Sequence, residues 1–167
     1  MVVSCEPGGV GSNMPLARHP GGPIVRVVPM QADDLPAVAA LSGELGYDVT
    51  LAAAVDRFAK LATGAHHGLF VAHDVGVVVG WIHIHSAVAI QDPPWAEIRG
   101  LVVSERNRGS GIGSALVAAA EAWAEQRGYD LLRVRSRETR HEAHRFYQSN
   151  GYRILKTSLT FEKHLTD

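Results

Sequence analysis

The residues that speak most directly of chemistry run Leu101-Val102-Val103-Ser104-Glu105-Arg106-Asn107-Arg108-Gly109-Ser110-Gly111-Ile112-Gly113-Ser114. A β-branched run enters a glycine-rich turn, and the turn opens straight into an amphipathic helix. Glycines let a backbone approach a ligand closely and take φ angles closed to other residues. The start of a helix adds unpaired N–H groups and the positive end of its dipole. Arg106 and Arg108 contribute charge beside them. The combination suits a phosphate or pyrophosphate. A tight turn whose glycines serve only packing is the plainer alternative, and two arginines coinciding with a helix start speak against it.

Two familiar phosphate loops fail on their own terms. A Walker A loop needs Lys-Ser/Thr after its last glycine, and this loop continues Ser114-Ala115. A dinucleotide fingerprint counted from Gly109 and Gly111 needs a third glycine where Ser114 stands. It also expects an acidic residue at the end of the next strand, where the chain has Arg135 and Ser136.

Other side chains able to do chemistry are fewer. His83 and His85 lie two apart on one predicted strand, hence on one face, with Trp81 beside them. They lack a companion metal-ligand motif, which leaves an acceptor pocket, an alternate base or a half-exposed strand face. His141 and His144 read as solvent-facing, and Arg133, Arg135 and Arg137 as a basic strand edge, salt-bridged or near a cofactor. Trp95 and Trp123 read as core.

The elements that must hold these groups follow from periodicity. Ile24 to Val28 is β-branched enough for a strand. Asp33 or Asp34 caps a helix carrying Leu35, Val38, Leu41 and Leu45, which Gly46 stops. A second helix over Leu51–Leu61 places Val55, Phe58 and Leu61 on one side. Leu69–Ala72 and Val77–His85 form a hairpin about Asp74-Val75-Gly76. Gln91 to Pro94 is a loop, and Trp95–Val103 a strand interrupted by Gly100, which marks a bulge or a close approach. Ile112, Leu116, Ala119 or Ala120, and Trp123 define a helix ending at Gly128. Leu131–Arg135 is a strand, His141–Ser149 a short helix, and Tyr152–Lys163 one or two final strands. Strand, helix and strand around residues 97–135 imply a right-handed parallel crossover. The expected class is a mixed α/β sheet in one domain, 24–167. Residues 1–23, rich in glycine, proline and small polar residues without apolar period, are expected to be a disordered leader.

The glycine loop resembles the acetyl-CoA loop of the GNAT N-acetyltransferase superfamily, written Gln/Arg-x-x-Gly-x-Gly/Ala, through Arg108, Gly111 and Gly113. The likeness continues in Leu101, Val103, Gly109 and Ile112. It extends to Ala143-His144-Arg145-Phe146-Tyr147-Gln148-Ser149-Asn150-Gly151-Tyr152, similar to the signature of that family's last helix. Val71 to Trp81 is similar to its middle hairpin. Glu105 departs where many members have proline, and Arg140 where many have asparagine. The resemblance covers about Ile24 to Leu165. It implies a GNAT fold: a mixed, mostly antiparallel sheet with a splayed parallel central pair and helices on both faces.

The same resemblance implies roles. Backbone groups of Leu101, Val102 and Val103 would bind the pantetheine arm of acetyl-CoA, with Gly100 as the bulge that opens the slot. The backbone of Arg108, Gly109, Ser110, Gly111, Ile112, Gly113 and Ser114 would hold the pyrophosphate, and Arg140 would reach a CoA phosphate. Acyl transfer to an amine requires removal of an ammonium proton, stabilisation of an oxyanion and protonation of the leaving thiolate. Tyr147 occupies the family's proton-donor position, with packing under the cofactor as its alternative. Ala96-Glu97-Ile98 resembles the segment bearing the catalytic glutamate of histone-type members. Glu97 is thus a candidate base or amine anchor, against His83, His85 or water.

Composition bounds the rest. Sixteen basic against seventeen acidic residues, net charge −1, give no basic surplus for nucleic acid. The single cysteine, Cys5, supports neither a disulfide framework nor a cysteine-based metal site, so no metal is expected. No apolar stretch reaches the roughly 20 residues of a membrane span and no signal peptide is read, so no membrane partner and a cytoplasmic location are expected. The expected function is N-acetylation of a primary amine on a small molecule or peptide by acetyl-CoA, with homodimers common among relatives. The alternatives are an aminoglycoside-type acetyltransferase and a non-catalytic acyl-CoA sensor.

Overall fold

The computed structural model describes residues 25–44 and 46–165. Strand β1 (Val25–Pro29) leads through a 3-10 turn (Ala32–Asp34) into α1 (Leu35–Gly43), then α2 (Leu51–Ala62). Strands β2 (His67–Asp74), β3 (Val77–Ala89) and β4 (Asp92–Val103) follow. A second 3-10 turn (Glu105–Asn107), α3 (Ile112–Glu125), β5 (Leu132–Val134) and α4 (His141–Ser149) complete the order. The chain divides after Arg133 into two compact units. Leu45 and the expected leader lie outside the described residues.

The sheet runs in the order β1-β2-β3-β4-β5, with the first three pairings antiparallel and the last parallel. It is the mixed sheet expected. Asp74 pairs with Val77, so Val75 and Gly76 alone make the β2–β3 turn. Both have positive φ, 47° and 81°, which matches the right-handed twist of the strands.

Helices cover both faces. A Cβ placed on Gly68 would lie 2.7 Å from Trp123 Nε1, and one on Gly80 3.1 Å from Leu116, so α3 packs directly onto that face. Across the sheet Met30, Leu35 and Val71 form a buried cluster with Val38, Phe58, Leu69 and Trp81 against it. Those residues bring α1 and α2 to the second face.

Several local expectations change. Asp34 stands at the start of α1 without capping it; its carboxylate accepts the Gln31 N–H at 2.8 Å and pairs with His73 at 3.2 Å. Thr50 caps α2 by accepting the Ala53 N–H. In α2 Ala54 is the buried residue beside Phe58, while Val55 faces out. Of the expected loop Gln91–Pro94, Asp92 to Pro94 already belong to β4, because Ala89 pairs with Asp92. Its prolines fall where the ladder is irregular, between the pairs made by Ala87 and Ala89, so their missing N–H groups break no regular pairing. The strands expected over Tyr152–Lys163 are not formed among the described residues.

Candidate active site

Strand β4 carries the centre of the site. Its pairing with β3 sets His83 opposite Gly100 and Ile84 opposite Ile98, so Arg99 is the extra residue of a bulge. Gly100 therefore borders the bulge, and it has a second duty. A Cβ there would come within 2.8 Å of the Trp81 ring, so the indole lies across the space the glycine leaves. On the other edge of β4, the Ala96 N–H donates to Leu131 C=O at 2.9 Å where the chain enters β5.

Glu97, 3% exposed, is buried. Its Oε2 accepts the Trp95 indole N–H at 3.3 Å, and its Oε1 the Arg99 guanidinium at 3.1 Å. Behind them Arg133 stacks on Trp95 at 4.4 Å and pairs with Asp92 at 3.1 Å. A carboxylate held by such donors can bind a cation or take a proton. The alternation Trp95-x-Glu97-x-Arg99 is legible in the sequence, and Trp95 is buried in the core as expected, its indole N–H serving Glu97 as well.

The histidines occupy the same face. Across three strands His67 stands opposite His85, and His85 opposite Glu97. His67 Nδ1 and His83 Nε2 are 3.1 Å apart, so one ring donates to the other. Burial, then the charges of His67, His85 and Arg99, push the His83 imidazole down to about 4. Burial and His66 also lower His67. At neutral pH the pair is uncharged. Among the described residues no group of three or more His, Cys, Asp or Glu is placed to hold a metal ion.

The glycine loop leaves β4 through Ser104, whose N–H donates to Val79 C=O at 2.9 Å. Gly109 and Gly111 have φ of 76° and 84°, and Gly111 is the residue from which α3 starts. A side chain would be strained at both positions. The first bond of α3 runs from the Ala115 N–H to Gly111 C=O, so the amides of Ile112, Gly113 and Ser114 lie ahead of the helical ladder. Arg108 turns back. Its Nε donates to Val103 C=O, and its guanidinium pairs with Glu105 and with Glu44 at the end of α1. Glu44 also accepts the Glu105 N–H at 2.8 Å. No sequence signal links positions 61 apart.

In the second unit α4 carries Tyr147, half-buried, with ring contacts to Phe146 at 5.1 Å and Tyr152 at 5.6 Å. Burial pushes its phenol up to about 12, with Arg140 pulling the other way. The hydroxyl therefore keeps its proton at neutral pH. Arg140 stands at the start of α4 and accepts the His144 N–H on its carbonyl. Asn150 closes the helix through its side-chain amide on Phe146 C=O.

Known proteins are similar to this chain. The chain is 42% identical over 79 residues to an aminoalkylphosphonate N-acetyltransferase of Salmonella typhimurium, covering 47% of this chain and 51% of that protein. It is 33% identical over 87 residues to a mycothiol acetyltransferase of Thermobispora bispora, covering 51% of this chain and 30% of that one. The chain thus spans about half or less of the curated relatives it matches. An aminoglycoside 6'-N-acetyltransferase from Acinetobacter baumannii shares the fold with a TM-score of 0.75, over 85% of this chain and 99% of its own, at 22% identity. The family model described as "Acetyltransferase (GNAT) family" matches residues 35–152. With the bulged strand, the glycine loop and the helix it opens all inside that span, the chain belongs to the GNAT acetyltransferase family.

Proposed function

We propose that this chain is an acetyl-CoA-dependent N-acetyltransferase that acetylates a primary amine of a small molecule by direct attack. The observation that carries the reading is the left-handed backbone at Gly109 and Gly111, opening α3 directly after β4. A pyrophosphate fits such a turn, where consecutive amides converge and no side chain intrudes. The backbone of Arg108 to Ser114 binds it, and Arg108 stiffens the loop through Glu44 and Glu105. Main-chain groups of Leu101, Val102 and Val103 take the pantetheine arm, and Arg140 serves a CoA phosphate. Acetyl-CoA, when bound, supplies an acetyl group activated as a thioester.

The remaining residues handle protons. Glu97 attracts the acceptor's ammonium and receives its proton through water, with Trp95 and Arg99 holding the carboxylate. Tyr147, protonated at neutral pH, gives its proton to the departing thiolate. A small amine is favoured over a peptide because both curated relatives are named for small-molecule acetylation.

The reading is tested by thermal shift and by turnover. CoA and acetyl-CoA at high micromolar concentration should raise Tm, with NAD and ATP doing less. Gly111→Val should abolish the shift, since φ near 84° excludes a β-branched residue. Release of free thiol should then be followed with aminoalkylphosphonates, aminoglycosides and peptide amines. Equal stabilisation by all nucleotides would reduce the loop to a generic phosphate site. A CoA shift without turnover on any amine would make the protein a sensor.

A further inference from the structure

The charges around Glu97 are matched before any acceptor arrives. Over His67–Leu69, His83–Ala89 and Asp92–Gly100 the carboxylates are Asp92 and Glu97. Each has its arginine at 3.1 Å, Arg133 for Asp92 and Arg99 for Glu97. His67, His83 and His85, brought beside Glu97 by the strand pairing, add positive charge or none. An ammonium drawn to the buried Glu97 carboxylate therefore leaves a surplus positive charge where water screens poorly. No further carboxylate stands on these segments to offset it.

Arg99 offers a place for the missing anion. It is the extra residue of the bulge, and a bulge re-aims its side chain. Its Nη1 donates to Glu97 Oε1, while the side chain remains 50% exposed. A guanidinium carries five N–H groups in a planar fork, so donors remain on the open edge. Such an edge binds a carboxylate or a phosphonate through two parallel bonds. Burial, His67, His85 and then Arg99 lower the His83 imidazole, so the guanidinium lies within electrostatic reach of the histidine row.

We infer that the acceptor is a zwitterion, a short primary amine whose ammonium docks on Glu97 and whose own anionic group docks on the open edge of Arg99. The inference rests on the transferase reading above and narrows its substrate class. The two protein charges adjoin, so the two charges of the acceptor lie only a few bonds apart. Acceptors with further ammonium groups add to the positive surplus and are disfavoured.

Four amines matched in chain length test this: a plain alkylamine, its terminal phosphonate, its terminal carboxylate and the corresponding diamine. Each is titrated calorimetrically into the full chain saturated with CoA, then followed for thiol release with acetyl-CoA. At least one anionic amine should bind roughly 10- to 100-fold tighter than the plain amine, and the diamine no tighter than it. The order of the two anionic arms tells phosphonate from carboxylate recognition. Arg99→Gln, at a half-exposed position, should fold and should erase that preference. It should also lower kcat for every amine alike, because Glu97 loses a partner. Arg99→Lys should keep part of the preference, since it retains the charge without the fork. Equal binding of plain and anionic amines overturns the inference, as does a preference that Arg99→Gln leaves intact. A binding preference without thiol release from any amine counts for the two-charge site and against the transferase reading.

Discussion

The indole N–H of Trp95 points at Oε2 of Glu97, 3.3 Å away and two residues along the same strand. A buried carboxylate is thereby held from both sides by its own strand, by Trp95 and by Arg99 at the bulge. Hydrogen bonds to charged groups contribute about 1.5–3 kcal/mol, and a buried acceptor that loses its donor costs comparably. Trp95→Phe should therefore destabilise the protein by about 2 kcal/mol in urea unfolding. A double-mutant cycle with Glu97→Gln should show coupling of at least about 0.5 kcal/mol. Coupling of zero would mean that the bond contributes nothing.

Gly100 leaves the room that the Trp81 ring occupies. Gly100→Ala sets a methyl within 2.8 Å of that ring, and overpacking of this kind costs about 1–3 kcal/mol. Trp81→Phe removes the colliding atoms, together with an indole N–H that is buried without a hydrogen-bond partner among the described residues. The double variant should recover most of the stability lost in Gly100→Ala. If the alanine variant unfolds at the same urea concentration as the parent, the close approach has no energetic meaning.

His83 makes stability depend on pH. Its folded value of about 4 lies below the ordinary 6.5, so the unfolded chain takes up the proton first as pH falls. The contribution is complete above pH 6.5 and is lost between there and about 4, by up to about 3 kcal/mol. His83→Gln should flatten the dependence of unfolding free energy on pH across that window. Parallel curves for the two proteins would rule the histidine out as its source.

Tyr147→Phe separates acid catalysis from packing, because it keeps the ring and removes the hydroxyl. Binding of acetyl-CoA should be nearly unchanged while kcat falls roughly 10- to 10⁴-fold. Single-turnover measurement with a good acceptor is needed, since slow product release would hide the loss. An unchanged rate would take Tyr147 out of the mechanism.

What the sequence alone decides is local in the chain. Apolar and β-branched runs located β1 to β5, the helical period located α1 to α3, and Gly109 and Gly111 marked the left-handed turn that opens α3. These are properties of the backbone and of neighbouring side chains, so a short window of residues contains their cause. The start of β4 was misread because Pro93 and Pro94 look like loop residues until the irregular ladder around them is known. The ring-to-ring bond of His67 and His83 and the hold of Glu44 on the loop were out of reach. Each joins groups whose meeting depends on strand register or on where α1 ends. Desolvation acts the same way: it is the largest cause lowering His83, and only the packed sheet, which also sets His67 and Arg99 near it, supplies it.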